Sequence, residues 1–148
     1  MATPFSLQTL LDLMQNRADE ATRSLGKLVA AEKDARSRLE MLQQYRQEYA
    51  DKLYGNAQTG ISQLEWRNFQ EFIGRLDEAI EVQSRAVNES VERTASGQSH
   101  WLQQRNKLKA IDTLSERHQV SERHRENRQD QKFSDEFSAR KYQTEPKN

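Results

Sequence analysis

From Leu11 to Leu53 the chain sets residues at alternating steps of three and four: Leu11, Met14, Ala18, Ala21, Leu25, Leu28, Glu32, Ala35, Leu39, Leu42, Arg46, Tyr49 and Leu53. Only Glu32 and Arg46 interrupt it with charge. That spacing is a heptad seam, with Leu11 at an a position and Met14 at a d position. A helix lying on a globular core drifts off a strict 3.5-residue repeat within a few turns. Holding the repeat this long predicts supercoiling against a partner helix. A second seam answers the first: Trp66, Phe69, Ile73, Leu76, Ile80, Gln83, Val87, Ser90, Thr94, Gly97, Trp101, Gln104, Leu108 and Ile111. Its a positions are mostly large and apolar, and its d positions weaken toward the middle.

The breaks in the pattern predict the element boundaries. Thr3-Pro4 can start the first helix, a capping hydroxyl followed by a proline whose missing N–H costs nothing in the first turn, with Ser6 as a second choice of cap. The first helix is expected over about 4–54 and a turn over 55–61, Gly55 taking the left-handed conformation that ends a helix. Ser62 and Glu65 form a capping box, and Ile61 can staple onto Trp66, so the second helix is expected over about 62–141. These boundaries make one coiled-coil domain, 1–148, in which 113–148 is an unpaired overhang and tail.

A short turn makes the two helices antiparallel, so that a positions of one meet d positions of the other. Pairing residues whose numbers add to about 115 sets Leu42 on Ile73, Leu39 on Leu76, Leu28 on Val87 and Leu7 on Leu108. The irregularities then meet: Glu32 falls opposite Gln83, whose amide can satisfy the carboxylate. Ala18 and Ala21 face Gly97 and Thr94, and Met14 faces Trp101. The fold class expected is all-α, a long two-helix antiparallel coiled-coil hairpin with an overhanging C-terminal helix. Its paired section would be a rod of roughly 46 residues per arm, about 70 Å at 1.5 Å per residue. The alternative is that each helix pairs with other copies; a short loop favours the internal partner through effective concentration.

Composition agrees with thin helices and narrows the chemistry. The chain of 148 residues is 34% hydrophobic and 31% charged, with five glycines and two prolines, too polar for a thick core and too poor in turn residues for a sheet protein. Twenty-three basic residues balance twenty-three acidic ones, so no overall field attracts nucleic acid or anionic lipid. There is no cysteine, no signal-peptide pattern and no apolar run near membrane-spanning length, which predicts a soluble cytoplasmic protein. A two-helix protein offers no concave pocket, and neither a glycine-rich phosphate loop nor a nucleophile elbow is present. We therefore expect no enzyme, no cofactor and no small-molecule substrate. His118 and His124 stand in the repeated Ser-Glu-Arg-His of 115–118 and 121–124, but six residues apart they suit a zinc pair poorly, and no metal is expected.

Two surfaces carry more apolar character than a paired helix needs. Tyr45 and Phe72 are both g positions flanking one side of the pair near the turn, with Ala79 next and Leu42, Tyr49 and Leu76 beside them. Such positions are usually charged, so two aromatics there either dock a partner or widen the seam and shield Arg46. The tail mixes eight basic and seven acidic residues over 113–148, yet Phe133 and Phe137 stand four apart on one side of a helix with no internal partner.

Three segments resemble the FliJ family of flagellar export proteins: Leu42-Gln43-Gln44-Tyr45-Arg46-Gln47-Glu48-Tyr49, Trp66-Arg67-Asn68-Phe69-Gln70-Glu71-Phe72-Ile73, and Glu126-Asn127-Arg128-Gln129-Asp130-Gln131-Lys132 with Asp135-Glu136-Phe137. The resemblance implies a cytoplasmic component of the bacterial flagellar type III export apparatus, peripherally associated with the inner membrane at the flagellar base. It implies a coiled coil similar to the central stalk of rotary ATPases, with both termini inserted into a hexameric flagellar export ATPase. Contacts with the membrane export gate protein and with export chaperones are also implied. Residue by residue, Leu42, Tyr45, Tyr49, Phe72, Leu76 and Ala79 are similar to a gate-facing surface. Leu7, Leu11, Arg128, Asp130, Lys132, Phe133 and Phe137 would face the ATPase ring. The hydrophilic stretch from Ser115 to Arg125 departs from the pattern. The competing class is a general coiled-coil adaptor or chaperone-like scaffold without an ATPase partner.

Overall fold

A computed structural model describes residues 3–144, with side chains over 7–142. The capping side chains expected at Thr3 and Ser6, and the tail from 145 onward, lie outside that description. The fold is an all-α antiparallel hairpin: α1 spans Thr3–Thr59 and α2 spans Gln63–Thr144, with no strand among the described residues. Packing divides it into two units, one of Asp19–Gln103 and one of the described residues up to Ala18 and from Gln104 onward.

The first helix does not stop at Tyr54. It continues through Gly55 to Thr59, whose Oγ1 donates to the Asn56 carbonyl at 3.1 Å. Gly60 ends it, with φ of 91°, a left-handed conformation that costs glycine nothing. Ser62 then caps α2 as expected: the Glu65 N–H donates to Ser62 Oγ at 3.2 Å and the Trp66 N–H to the Ser62 carbonyl at 3.1 Å. Of the two glycines bounding the expected turn, the second makes it. Stopping at Gly55 would forfeit backbone hydrogen bonds over a further turn, whereas carrying one glycine inside a helix costs only about 1 kcal/mol.

Lengthening α1 by five residues moves every cross-helix partner. In the Asp19–Gln103 unit Trp101 Nε1 donates to Thr22 Oγ1 at 3.0 Å, Thr94 Oγ1 to the Leu28 carbonyl at 3.4 Å, and Arg46 Nε to Asp77 Oδ1. These partner numbers add to about 122, close to one heptad beyond the expected 115. Glu32 therefore does not meet Gln83. It stands level with Ser90 and pairs along its own helix with Arg36 at 3.8 Å, while Gln83 Nε2 donates to the Ala35 carbonyl at 3.0 Å. Gly97 packs on Leu25 and Leu28 and not on Ala18, and Trp101 lies level with Ala21 and not Met14. A slip of one heptad preserves the alternation of a and d positions, so the periodicity is unchanged and only the position of the turn distinguishes the registers.

The seam itself follows the expected spacing. Ala18, Ala21, Leu76 and Val87 are buried, and Leu25, Leu28, Leu39, Leu42, Ile73 and Ile80 are half-buried. Trp66, the expected first member of the second seam, is instead 39% exposed, and Phe69 opens it. The seam also runs further than Ile111: Ser115 is buried, and His118 and Glu122 are half-buried. In this second unit Leu11, Asp12 and Gln15 share a groove with Arg105, Leu108, Lys109 and Asp112. Leu11 is thus level with about residue 111 and Leu7 with about Ser115. Polar side chains occupy the α2 side there, and Gln104 Oε1 and His118 Nε2 are buried without a hydrogen-bond partner.

Candidate functional site

The aromatic cluster beside the turn lies within the Asp19–Gln103 unit. Tyr49 projects from α1 between two residues of α2: its ring centroid is 4.3 Å from that of Phe72 and 6.5 Å from that of Phe69, both tilted. Rings at these separations attract beyond the area that they bury. Lys52 Nζ lies 5.4 Å from the Tyr49 ring centroid, a cation–π distance. Tyr49, Phe69 and Phe72 line a shallow depression with Glu65 and Asn68. Phe69, reached in sequence only as a seam residue, belongs to this cluster as much as Phe72 does.

Of the other residues expected here, Tyr45 is 48% exposed and Phe72 39% exposed, while Leu42, Tyr49 and Ala79 are half-buried. Leu76 is buried at 9% exposure, so it supports the surface from beneath and does not present itself to a partner. The register separates the two flanking aromatics. Phe72 is level with residue 50 of α1, which sets it about 7.5 Å along the axis from Tyr45. Tyr49, not direct contact between Tyr45 and Phe72, joins the cluster. Arg46, a polar seam residue, reaches across to Asp77, and the hydrogen bond and charge of that carboxylate raise the guanidinium pKa.

The second set of expected residues lies in the other unit. Leu7 and Leu11 are half-buried against α2, whereas Phe133 and Phe137 are 71% and 63% exposed. Phe133 is eighteen residues beyond the level of Leu7, about 27 Å along α2. The terminal turns of α1 and the aromatic pair are therefore two separate surfaces. Arg128 and Lys132 lie on one side of α2, and Asp130, Phe133 and Phe137 on another, because residues two apart on a helix face away from each other. All described side chains from Arg123 to Tyr142 are exposed.

Among the described residues no group of three His, Cys, Asp or Glu side chains is placed to hold a metal ion, and no helix is long and apolar enough to cross a membrane. The family model described as Flagellar FliJ protein matches residues 3–147. The chain belongs to the FliJ family. Curated relatives include the Flagellar FliJ proteins of Escherichia coli (strain K12) and Salmonella typhi, each 33% identical over 146 residues and covered over 99% of both chains. The match to the FliJ family runs through both units and includes both exposed aromatic surfaces.

Proposed function

We propose that this FliJ-family protein acts in flagellar type III protein export as a non-enzymatic, stalk-like coiled coil that binds the hexameric export ATPase and couples it to the membrane export gate. The observation that supports this reading is the overhang: α2 continues to Thr144 with every described side chain beyond Glu122 exposed, yet it carries Phe133 and Phe137. A polar helix that exposes two aromatics and finds no cover for them among the described residues is suited to an external groove. Leu7, Leu11, Arg128, Asp130, Lys132, Phe133 and Phe137 are the proposed ring-facing residues. Leu42, Tyr45, Tyr49, Phe72 and Ala79, supported by Leu76, are the proposed gate-facing residues. A paired two-helix coil transmits displacement better than a loop-rich domain does.

The same reading places the protein in the cytoplasm, peripheral to the inner membrane at the flagellar base, and in contact with export chaperones. The experiment is a mixing assay with purified hexameric flagellar export ATPase. The stalk reading expects faster ATP hydrolysis or promoted ring assembly, lost in Phe133→Ala/Phe137→Ala. Neither effect from the folded wild-type chain would leave the adaptor reading in its place.

A further inference from the structure

The exposed stretch of α2 is organised by charge. Glu122, Glu126 and Asp130 follow one another at steps of four, and so do His124, Arg128 and Lys132. Like charges four apart on a helix repel and destabilise it. Elsewhere the chain uses that spacing to attract, as between Glu32 and Arg36. Asp130 has no base three or four residues away, and Arg128 has no acid. Glu122 is served on one side by Arg125 at 3.8 Å and lies 4.0 Å from His118.

The two ladders lie on different faces. Arg128 follows Glu126 by two residues, about 200° around the helix. Phe133 and Phe137 stand seven residues beyond Glu126 and Asp130, which returns them to the acidic face within about 20°. Arg140 is a base on that face, and Arg123 and Lys141 lie at its edges. Asp135 is an acid on the basic face, and Tyr142 lies there at the end of the helix. The apolar anchors thus continue the acidic ladder, on side chains that are 71% and 63% exposed.

We propose that α2 docks through the face of Glu126, Asp130, Phe133 and Phe137, into a groove of the export ATPase that is lined by basic side chains around an apolar cleft. This rests on the function proposed above and adds the chemistry of the partner surface. A basic wall neutralises the self-repelling acidic ladder, and the cleft covers the two rings that the chain leaves in water. The basic ladder of His124, Arg128 and Lys132 then faces away from that groove, so of the ring-facing residues proposed above Asp130, Phe133 and Phe137 stay in the α2 contact and Arg128 and Lys132 leave it.

The test measures the affinity of the full-length chain for purified hexameric ATPase, with circular dichroism to confirm that each variant is folded. Glu126→Lys/Asp130→Lys is expected to bind at least tenfold more weakly. Glu126→Gln/Asp130→Asn, which removes charge without adding repulsion, is expected to bind three- to tenfold more weakly. Glu89→Lys/Glu92→Lys makes the same change in net charge at exposed sites in the other unit and is expected to bind as wild type does. Wild-type binding that the Glu126/Asp130 variants leave unchanged overturns this inference and leaves the ATPase reading standing. So does Arg128→Glu weakening binding more than Glu126→Lys/Asp130→Lys. Absence of wild-type binding overturns both.

Discussion

Gly55 and Gly60 stand five residues apart, and the same substitution should move stability in opposite directions at the two. Gly55 lies inside α1, whereas Gly60 has φ of 91° and ends it. A Cβ built on either glycine meets nothing within 4 Å, so packing contributes at neither site and the effect is one of backbone conformation. Gly55→Ala should stabilise the protein by about 0.5–1 kcal/mol through helix propensity. Gly60→Ala places a Cβ against the backbone in the left-handed region and should cost about 1–2 kcal/mol. The separation of about 1.5–3 kcal/mol between the variants is well outside the scatter of denaturant titrations followed by far-UV circular dichroism. The contrary outcome is a destabilising Gly55→Ala with a neutral Gly60→Ala. That outcome would return the turn to Gly55 and restore the other register.

Two further results follow from the observed register. A Cβ on Gly97 would lie 2.5 Å from Leu28 Cδ1, so Gly97→Val should cost about 1–3 kcal/mol by overpacking. Adding Leu28→Ala should give a total at least about 1 kcal/mol below the sum of the single costs, read in the same titrations. Glu32 and Gln83 have separate partners, so a double-mutant cycle with Glu32→Ala and Gln83→Ala should give a coupling within about 0.5 kcal/mol of zero. A coupling above 1 kcal/mol would return the two side chains to contact.

The seams were legible in the sequence because heptad spacing is local. From Leu11 to Leu53 every position expected inside is buried or half-buried, Glu32 and Arg46 included. Register was not legible, because it depends on which glycine turns the chain and a slip of seven residues leaves the hydrophobic pattern intact. Glu32 and Gln83 happen to match in the slipped register, which shows that two coincident irregularities specify a register weakly. The extension of the seam through Ser115, His118 and Glu122 was hidden by polarity, since nothing in those side chains signals burial. For the surfaces, Tyr45, Phe72, Phe133 and Phe137 were readable as apolar residues at flanking or unpartnered positions. The stacking of Tyr49 on Phe72 and the burial of Leu76 depend on side-chain geometry and on the true register.

Both proposed surfaces depend on how α1 lies against α2, and disulfide trapping tests that arrangement without background because the chain contains no cysteine. Leu28→Cys combined with Thr94→Cys joins positions whose side chain and carbonyl already meet at 3.4 Å. Leu28→Cys combined with Val87→Cys joins positions one heptad out of step, about 10 Å further apart along the axis and beyond disulfide reach. The first pair should oxidise to an intramolecular bond whose yield does not change on dilution, and the second should stay reduced. Oxidation of the Leu28/Val87 pair in its place, or covalent dimers from the Leu28/Thr94 pair, would contradict the hairpin described here.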